Sequence, residues 1–471
     1  MNLKRENKIL KQKIEELETR FMNLESAYRL ELDTLKKAFE TKIKTLEAEL
    51  ATYKHKKNSS NSHIPPSQDQ FRAKKNQSLR EPTSKKVGGQ VGHEGNTLQR
   101  KEFPDKIVKH SPKTCVCCSA SLATCTEELV STRQVFDIPP IVVKCTEHQT
   151  YKKKCSCGYI TEASFPLHVA APVQYGENVE SMIAYLHTRQ YLPYQRMQEL
   201  LNTVMGLAIS TGGINNILKR FAKKATPLYD IIKEKIKAAT VVGVDETGIN
   251  INGKTNWGWT WQNSTLTYIV FAVSRGFKTV LEVFPNGLLN VVLVQDRWAC
   301  HFKTPAKAHQ MCTAHLLRDI NYINELYENK CEWATEFKAL LLEAINLKKE
   351  LEVIDYYRHN IKRQAVFEKM QLCLTRPIAS EHIKAVKLQK TMLARKDCIL
   401  NFLLYFNVPP DNNGSERAIR NIKVKQKVSG QFKNLEAANI FAVIRSIIDT
   451  TIKNGQNVFS ALRLIANYGT E

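Results

Sequence analysis

Three acidic residues stand at positions where a folding chain gathers carboxylates. TVVGVDET is a β-branched run closing on Asp245, LLNVVLV leads into Gln295-Asp296, and DNNGSERAIRNIKVKQK sets Glu416 near the start of a helix. Carboxylate oxygens suit Mg²⁺, which keeps several of its waters and so needs few protein ligands. Three acids converging suit two divalent ions, Mg²⁺ or Mn²⁺, and the phosphoryl transfer that such a pair supports. Any one of these acids alone reads as a surface carboxylate; their stations on the elements set them apart. Arg417, Arg420, Lys423, Lys425, Lys427 and Lys433 follow Glu416 with no acidic residue among them, a setting for metal and phosphate together.

A second cluster carries sulfur. Seven of the twelve cysteines lie between Cys115 and Cys157, which points to a local metal site rather than to disulfides in so large a chain. Cys115-Val-Cys117-Cys118 and Cys155-Ser-Cys157-Gly158 each form a short turn, and Cys115, Cys118, Cys155 and Cys157 supply the four soft ligands of one structural Zn²⁺. Cys117, Cys145 or His148 can replace one of them, and four reduced thiols that bind nothing is the plainer alternative. The five scattered cysteines read as small buried hydrophobes.

The acids need a scaffold. TVVGVDET, WGWTWQN and LTYIVFAVS read as three strands in an antiparallel meander, FKTVLEVF as a helix, and LLNVVLV as a fourth strand. That order matches the start of a ribonuclease-H-like α/β topology, in which the first and fourth strands lie side by side and Asp245 meets Asp296. The third acid then belongs on a helix after the fifth strand. Pro409-Pro410 stops what precedes, Asp411 or Asn412 caps, and Glu416 falls in the first turns. Strand alternation turns Glu246 to the face opposite Asp245 and sets it aside as a ligand. From His315 to Pro409 the chain reads as helices, an insertion before the final catalytic helix. Cys312-Thr-Ala-His315 offers two ligands only and packs near the site instead. Trp298 either stacks on an unpaired base or belongs to the core.

Upstream, Tyr185 to Leu200 reads as helix with a kink or break at Pro193, and Ser210-Thr211 caps a second helix ending near Arg220. Asn215, Asn216, Lys219 and Arg220 lie on it. This is the pattern of a DNA-reading helix-turn-helix, shared with ordinary αα-hairpins. Lys54 to Lys101 holds eleven Lys and Arg against three Asp and Glu, a flexible basic segment that tracks phosphates or simply links domains. GGQVGHEG within it lacks the Gly-Lys-Ser/Thr ending of a phosphate-cradling loop. Leu3, Leu10, Ile14, Leu17, Phe21, Leu24 and Tyr28 follow heptad spacing, with two stutters before Tyr53. A dimerising coiled coil is expected there, a long helix packed on its own chain being the alternative.

Composition agrees with a nucleic-acid partner. The net charge is +23, which draws polyanions. With 43% apolar residues there is material for at least one large core, while no apolar run nears the ~20 residues that span a bilayer. The first residues lack the apolar stretch of a secretory signal, so the chain reads as cytoplasmic and nucleoid-associated.

Taken together these segments resemble the transposases of the sixty-six family of bacterial insertion sequences. The resemblance rests on the N-terminal coil, NSSNSHIPPS, GGQVGHEG, the cysteine module and YGENVESMIAYLHTRQYLPYQRMQELL. It continues through VGVDETG, QDRWACHF, HQMCTAHLLRDI and NNGSERAIRNIKVKQKVSGQF. It implies a DDE transposase whose acidic triad falls on Asp245, Asp296 and Glu416, acting on terminal inverted repeats and target DNA. Small companion proteins of the same element are implied too. His301 departs from the pattern, where related sequences often place a tyrosine, and puts a substrate-positioning contact in doubt. The expected layout is a coiled coil over 1–55, a basic linker over 56–105 and a zinc module over 106–170. A helical DNA-binding region over 171–238 and a catalytic domain over 239–471, with its insertion at about 315–408, complete it. A homodimer or higher oligomer, two Mg²⁺ (or Mn²⁺) and one Zn²⁺ go with it, and no membrane. A simple nuclease, or a non-catalytic zinc-containing DNA-binding protein, are the rival functions.

Overall fold

The computed structural model describes residues 2–58, 61–62, 97–139 and 141–468. Most of the expected basic linker, GGQVGHEG included, lies outside the described residues. The chain divides into two compact units, one comprising Met1–Ala73, Glu147–Glu199 and Ile209–Glu471, the other Lys74–Thr146 and Leu200–Ala208.

In the first unit, α1 (Asn2–Lys54) is one uninterrupted helix. No proline or glycine breaks it, and its heptad leucines Leu10, Leu17 and Leu24 are all exposed. Among the described residues from 97 to 146, the second unit forms no helix and no strand longer than an isolated bridge. Its clearest feature is a knuckle in which Thr114 bridges Ser121 and Ser119 N–H bonds Cys115 O at 2.9 Å. In the first unit a short hairpin, β1 (Lys152–Lys154) and β2 (Ile160–Glu162), closes over a similar turn. There Gly158 sits at φ +92°, a left-handed conformation that glycine adopts without strain.

α2 (Glu177–Ala184) runs into a π-helical turn at Tyr185–Arg189, and α3 (Tyr194–Met205) starts directly after Pro193. The break falls where proline cannot continue a helix. α4 (Thr211–Lys237) opens on Ser210, whose Oγ accepts the Gly213 N–H at 3.0 Å. It does not end near Arg220 as its sequence suggested but passes through Pro227 to Lys237. Pro227 removes one backbone donor, and burial of Ile232 and Ile236 beyond it offsets that loss.

The centre is a five-stranded mixed sheet. β3 (Val241–Ile251), β4 (Lys254–Gln262) and β5 (Thr267–Ala272) form the antiparallel meander. After α5 (Phe277–Val283), β6 (Leu288–Gln295) returns parallel to β3 on its other side. The short α6 (Ala299–Phe302) leads to β7 (Ala306–Met311), parallel to β6, giving the order β5-β4-β3-β6-β7. First and fourth strands of the sheet are therefore neighbours.

Next come the inserted helices α7 (Thr313–Leu326), α8 (Glu332–Glu350), α9 (Ile361–Thr375), α10 (Ile383–Leu393) and α11 (Asn401–Leu404). They share one core with Val292, Val294 and Met311 of the sheet. α12 (Asn413–Ser429), α13 (Leu435–Lys453) and α14 (Val458–Asn467) complete the chain. Ile422, Phe432 and Phe441 from this last segment pack on Ile249, Ile251, Ile269 and Phe271 in a second core. Each such side chain stabilises the fold by roughly 1.5–3 kcal/mol on full burial. No helix among the described residues is long and apolar enough to cross a membrane.

The segment after α1 is tied to the inserted helices. Asn58 and Asn61 each accept the other's backbone N–H, Asn61 Nδ2 donates to Glu325 Oε2 at 2.5 Å, and Lys57 Nζ lies 5.2 Å from the Tyr322 ring centre.

Candidate active site

β3 and β6 pair Val241 with Val292, Val242 with Leu293 and Gly243 with Val294. Continued by two residues, that register sets Asp245 opposite Asp296, just past the end of β6. Each aspartate has one oxygen fixed by the chain itself. Asp245 Oδ1 accepts the Glu246 N–H at 2.9 Å, and Asp296 Oδ1 accepts the Trp298 N–H at 2.8 Å.

Glu416 comes from the first turn of α12, and a chain of hydrogen bonds fixes where that turn begins. Gln295 O accepts from Cys312 N–H at 2.7 Å, and Cys312 Sγ accepts from Asn412 N–H at 3.2 Å. Asn412 Nδ2 donates in turn to Val244 O at 2.7 Å. The ends of β6 and β7, the middle of β3 and the start of α12 are thus bonded in series. Asn412 is the N-cap residue, yet its side chain is committed to Val244 and Ser415 rather than to capping; Asp411 Oδ1 takes the Asn413 N–H at 3.0 Å. So close an approach of helix to strand leaves no room at Gly243. A Cβ there would lie 2.6 Å from both Asn412 Oδ1 and Ser415 Oγ.

Burial, and then the charges of Glu246, Asp296 and Glu416, push the Asp245 carboxyl well above the usual carboxylate range. Burial and like charges both disfavour the ionised form. His315 Nε2 and an Arg318 guanidinium nitrogen, both on α7, lie 3.8 and 4.0 Å from Glu416 Oε1. Arg297, beside Asp296, pairs with Asp319. Cys312 and His315 accordingly pack beside the acids. The residues fit a divalent cation: Glu416 Oε1 is buried without a hydrogen-bond donor, and each aspartate has a second oxygen with no donor among the described residues. Among those residues no three acidic, thiol or imidazole groups are drawn in tightly enough to enclose an ion.

Glu246, next to Asp245 on β3, is not idle. Its carboxylate accepts from Arg275 Nε at 2.8 Å and His301 Nε2 at 2.9 Å. Burial raises its pKa, but His301 and Arg275 outweigh that and hold it below the ordinary value. No local pattern announces these partners, which come from 29 and 55 residues away. Trp298 is partly exposed, with the Arg275 guanidinium 4.0 Å from its ring centre.

The basic residues divide. Arg420, Lys423 and Lys427 share a face of α12 with Glu416 by their spacing of four, three and four. Arg417, Arg420 and Lys427 are exposed, whereas Lys423 Nζ is bound to Gly248 O. Burial, then Lys427, lowers the Lys423 pKa. On α4, Asn216 is exposed, Asn215 Oδ1 accepts from Tyr194 Oη at 3.3 Å, Lys219 pairs with Glu436 at 2.9 Å and Arg220 with Glu180 at 2.7 Å. The exposed Lys219–Glu436 pair is worth about 0–1 kcal/mol, whereas Arg220 is held by Glu180, a buried carboxylate that also takes Lys224.

The two cysteine turns share one device. Backbone N–H groups of Cys118 and Cys117, then the Cys118 thiol, lower the Cys115 pKa; those of Cys157 and Ser156 do the same for Cys155. N–H groups aimed at sulfur stabilise thiolate, the form that binds zinc.

Comparison with known proteins identifies the chain as a transposase preceded by a zinc-finger module. It belongs to the transposase IS66 family, whose model matches residues 172–440, more than half of the chain. The zinc-finger binding domain of transposase IS66 matches residues 112–158, which span both cysteine turns, and a family of unknown function matches residues 7–99. No curated protein matches the chain.

Proposed function

We propose that this transposase is a DDE enzyme on a ribonuclease-H-like core, cutting and joining the ends of a bacterial insertion sequence. The observation that carries the reading is the β3–β6 register, which sets Asp245 opposite Asp296, while a hydrogen-bonded seam delivers Glu416 with a buried oxygen that accepts no hydrogen bond. Asp245, Asp296 and Glu416 would together hold two Mg²⁺ (or Mn²⁺) ions. When bound, such a pair supplies a water of lowered pKa and screens charge on the phosphate oxygens. Arg417, Arg420 and Lys427 line the phosphate backbone up along α12. Lys423 braces β3 through Gly248 O and adds its charge from behind. His315 and Arg318 hold Glu416 by charge.

α3 and α4 would read the terminal inverted repeats as a helix-turn-helix, with Asn215, Asn216, Lys219 and Arg220 toward the DNA. Cys115, Cys118, Cys155 and Cys157 would hold one structural Zn²⁺. The exposed apolar stripe of α1 suits a coiled coil with a second copy of the chain, so that both element ends are handled together on the bacterial nucleoid. Companion proteins of the element would join that assembly.

The test is a gel assay of the purified protein with element-end DNA and Mg²⁺. Joined products are expected, and Asp296→Asn should reduce them ~1000-fold, about 4 kcal/mol of barrier. Cleavage without joining would establish a simple nuclease. DNA activities that Asp296→Asn leaves unchanged would establish a non-catalytic DNA-binding protein.

A further inference from the structure

We propose that Glu246 is a positioning residue: buried beneath the site, it fixes the orientation of the Asp296 carboxylate through two separate arms. The inference rests on the reading of Asp296 as a metal ligand.

The first arm is His301. Its Nε2–H donates to Glu246 Oε2 at 2.9 Å, and the same nitrogen lies 3.6 Å from Asp296 Oδ1, in electrostatic contact rather than hydrogen-bonded. The imidazole is buried and held edge-on to the Trp259 ring at 5.7 Å, so it has little freedom to turn. The second arm is Arg275. Its Nε donates to Glu246 Oε1 at 2.8 Å, while its guanidinium lies between two indoles, 4.9 Å from the Trp257 centre and 4.0 Å from that of Trp298. Trp298 then closes the circuit through its backbone N–H, which donates to Asp296 Oδ1 at 2.8 Å.

Both arms end on the same atom. Oδ1 of Asp296 is engaged on two sides, and Oδ2 is the oxygen left to face a cation. A carboxylate held through one oxygen is biased toward presenting the other. The buried anion is itself sustained by two charge-assisted contacts, one to each of its oxygens. Outer-shell partners of this kind typically govern metal affinity by 10–100-fold.

The experiment measures Mn²⁺ binding to the full-length protein by electron paramagnetic resonance, with thermal unfolding recorded alongside. Asp296→Asn is expected to weaken binding; if it does not, the ligand reading itself fails and this inference with it. Glu246→Gln, which keeps shape and removes charge, should weaken Mn²⁺ about tenfold. Adding Glu246→Gln to Asp296→Asn should then change nothing further, because its effect passes through Asp296. A full additional loss in the double variant, or unchanged affinity in the single one, overturns the proposal. Should Glu246→Gln fail to fold, His301→Gln and Trp298→Ala cut the arms one at a time, and each is expected to weaken Mn²⁺ several-fold. Unchanged affinity in both is equally fatal.

Discussion

From residue 97 to 172 no described residue is buried, and Val130, Val135, Ile138 and Val142 stand in solvent. In β6, by contrast, Val291, Val292, Leu293 and Val294 are all sealed. One region of the transposase fixes its acids by packing around them; the other has almost nothing to pack. Asp245, Asp296 and Glu416 are stationed by sheet register and a helix seam. The cysteine turns hold only their local shape, and the zinc proposed for them must provide the rest, as metals do in small domains without a core.

Zinc removal should therefore split the molecule's behaviour. Chelation, or Cys118→Ser, is expected to make residues 112–158 protease-sensitive, since structural zinc contributes on the order of 10 kcal/mol in such modules. The sheet domain should keep its melting transition under the same treatment. Limited proteolysis with mass mapping, beside calorimetry, reads both, and a common loss would erase the contrast. A smaller effect tests the packed side. Gly243→Ala should destabilise the sheet domain by about 2–3 kcal/mol in urea unfolding, because the new methyl meets Asn412 and Ser415. A neutral result would mean that α12 is not seated on β3 as tightly as the seam implies.

The smallest effect concerns Lys425, buried on α12, where burial lowers its pKa to about 8. Below that pH both folded and unfolded chains carry the proton, and the folded state bears an enclosed cation. Between about 8 and the ordinary lysine value the folded chain has released it and the unfolded chain has not, so stability rises with pH. Lys425→Met should gain ~1 kcal/mol at pH 7 and lose the wild type's rise in unfolding free energy between pH 7.5 and 9.5. Parallel slopes in the two proteins would contradict it.

Much of this was legible from residue order. Apolar runs ending in Asp245 and Asp296 become the neighbouring strands β3 and β6, because they are short and rich in β-branched valine. WGWTWQN, LTYIVFAVS and FKTVLEVF take the strand and helix forms that their patterns prescribe. β7 is different: AKAHQM carries no alternation worth reading, and it becomes a strand because β6 offers an open edge. α4 overran its expected end because tertiary burial of Ile232 and Ile236 outweighs one proline. Alternation gives Glu246 its place along β3, yet Arg275 and His301 reach it only through the turns of the folded sheet. Local patterns specify which side a residue takes, not what waits there.

Thr313 donates both its N–H and its hydroxyl to Pro410 O, each at 2.9 Å and across 97 residues of sequence. The inserted helices thus leave the sheet domain and rejoin it at one stitched point, a closed detour rather than a span between two distant points. Chain-closure entropy grows only with the logarithm of loop length. Turns far from the stitch, such as the one bearing the exposed Tyr357, are accordingly the natural places to cut, lengthen or relabel the polypeptide while the three acids stay where they are.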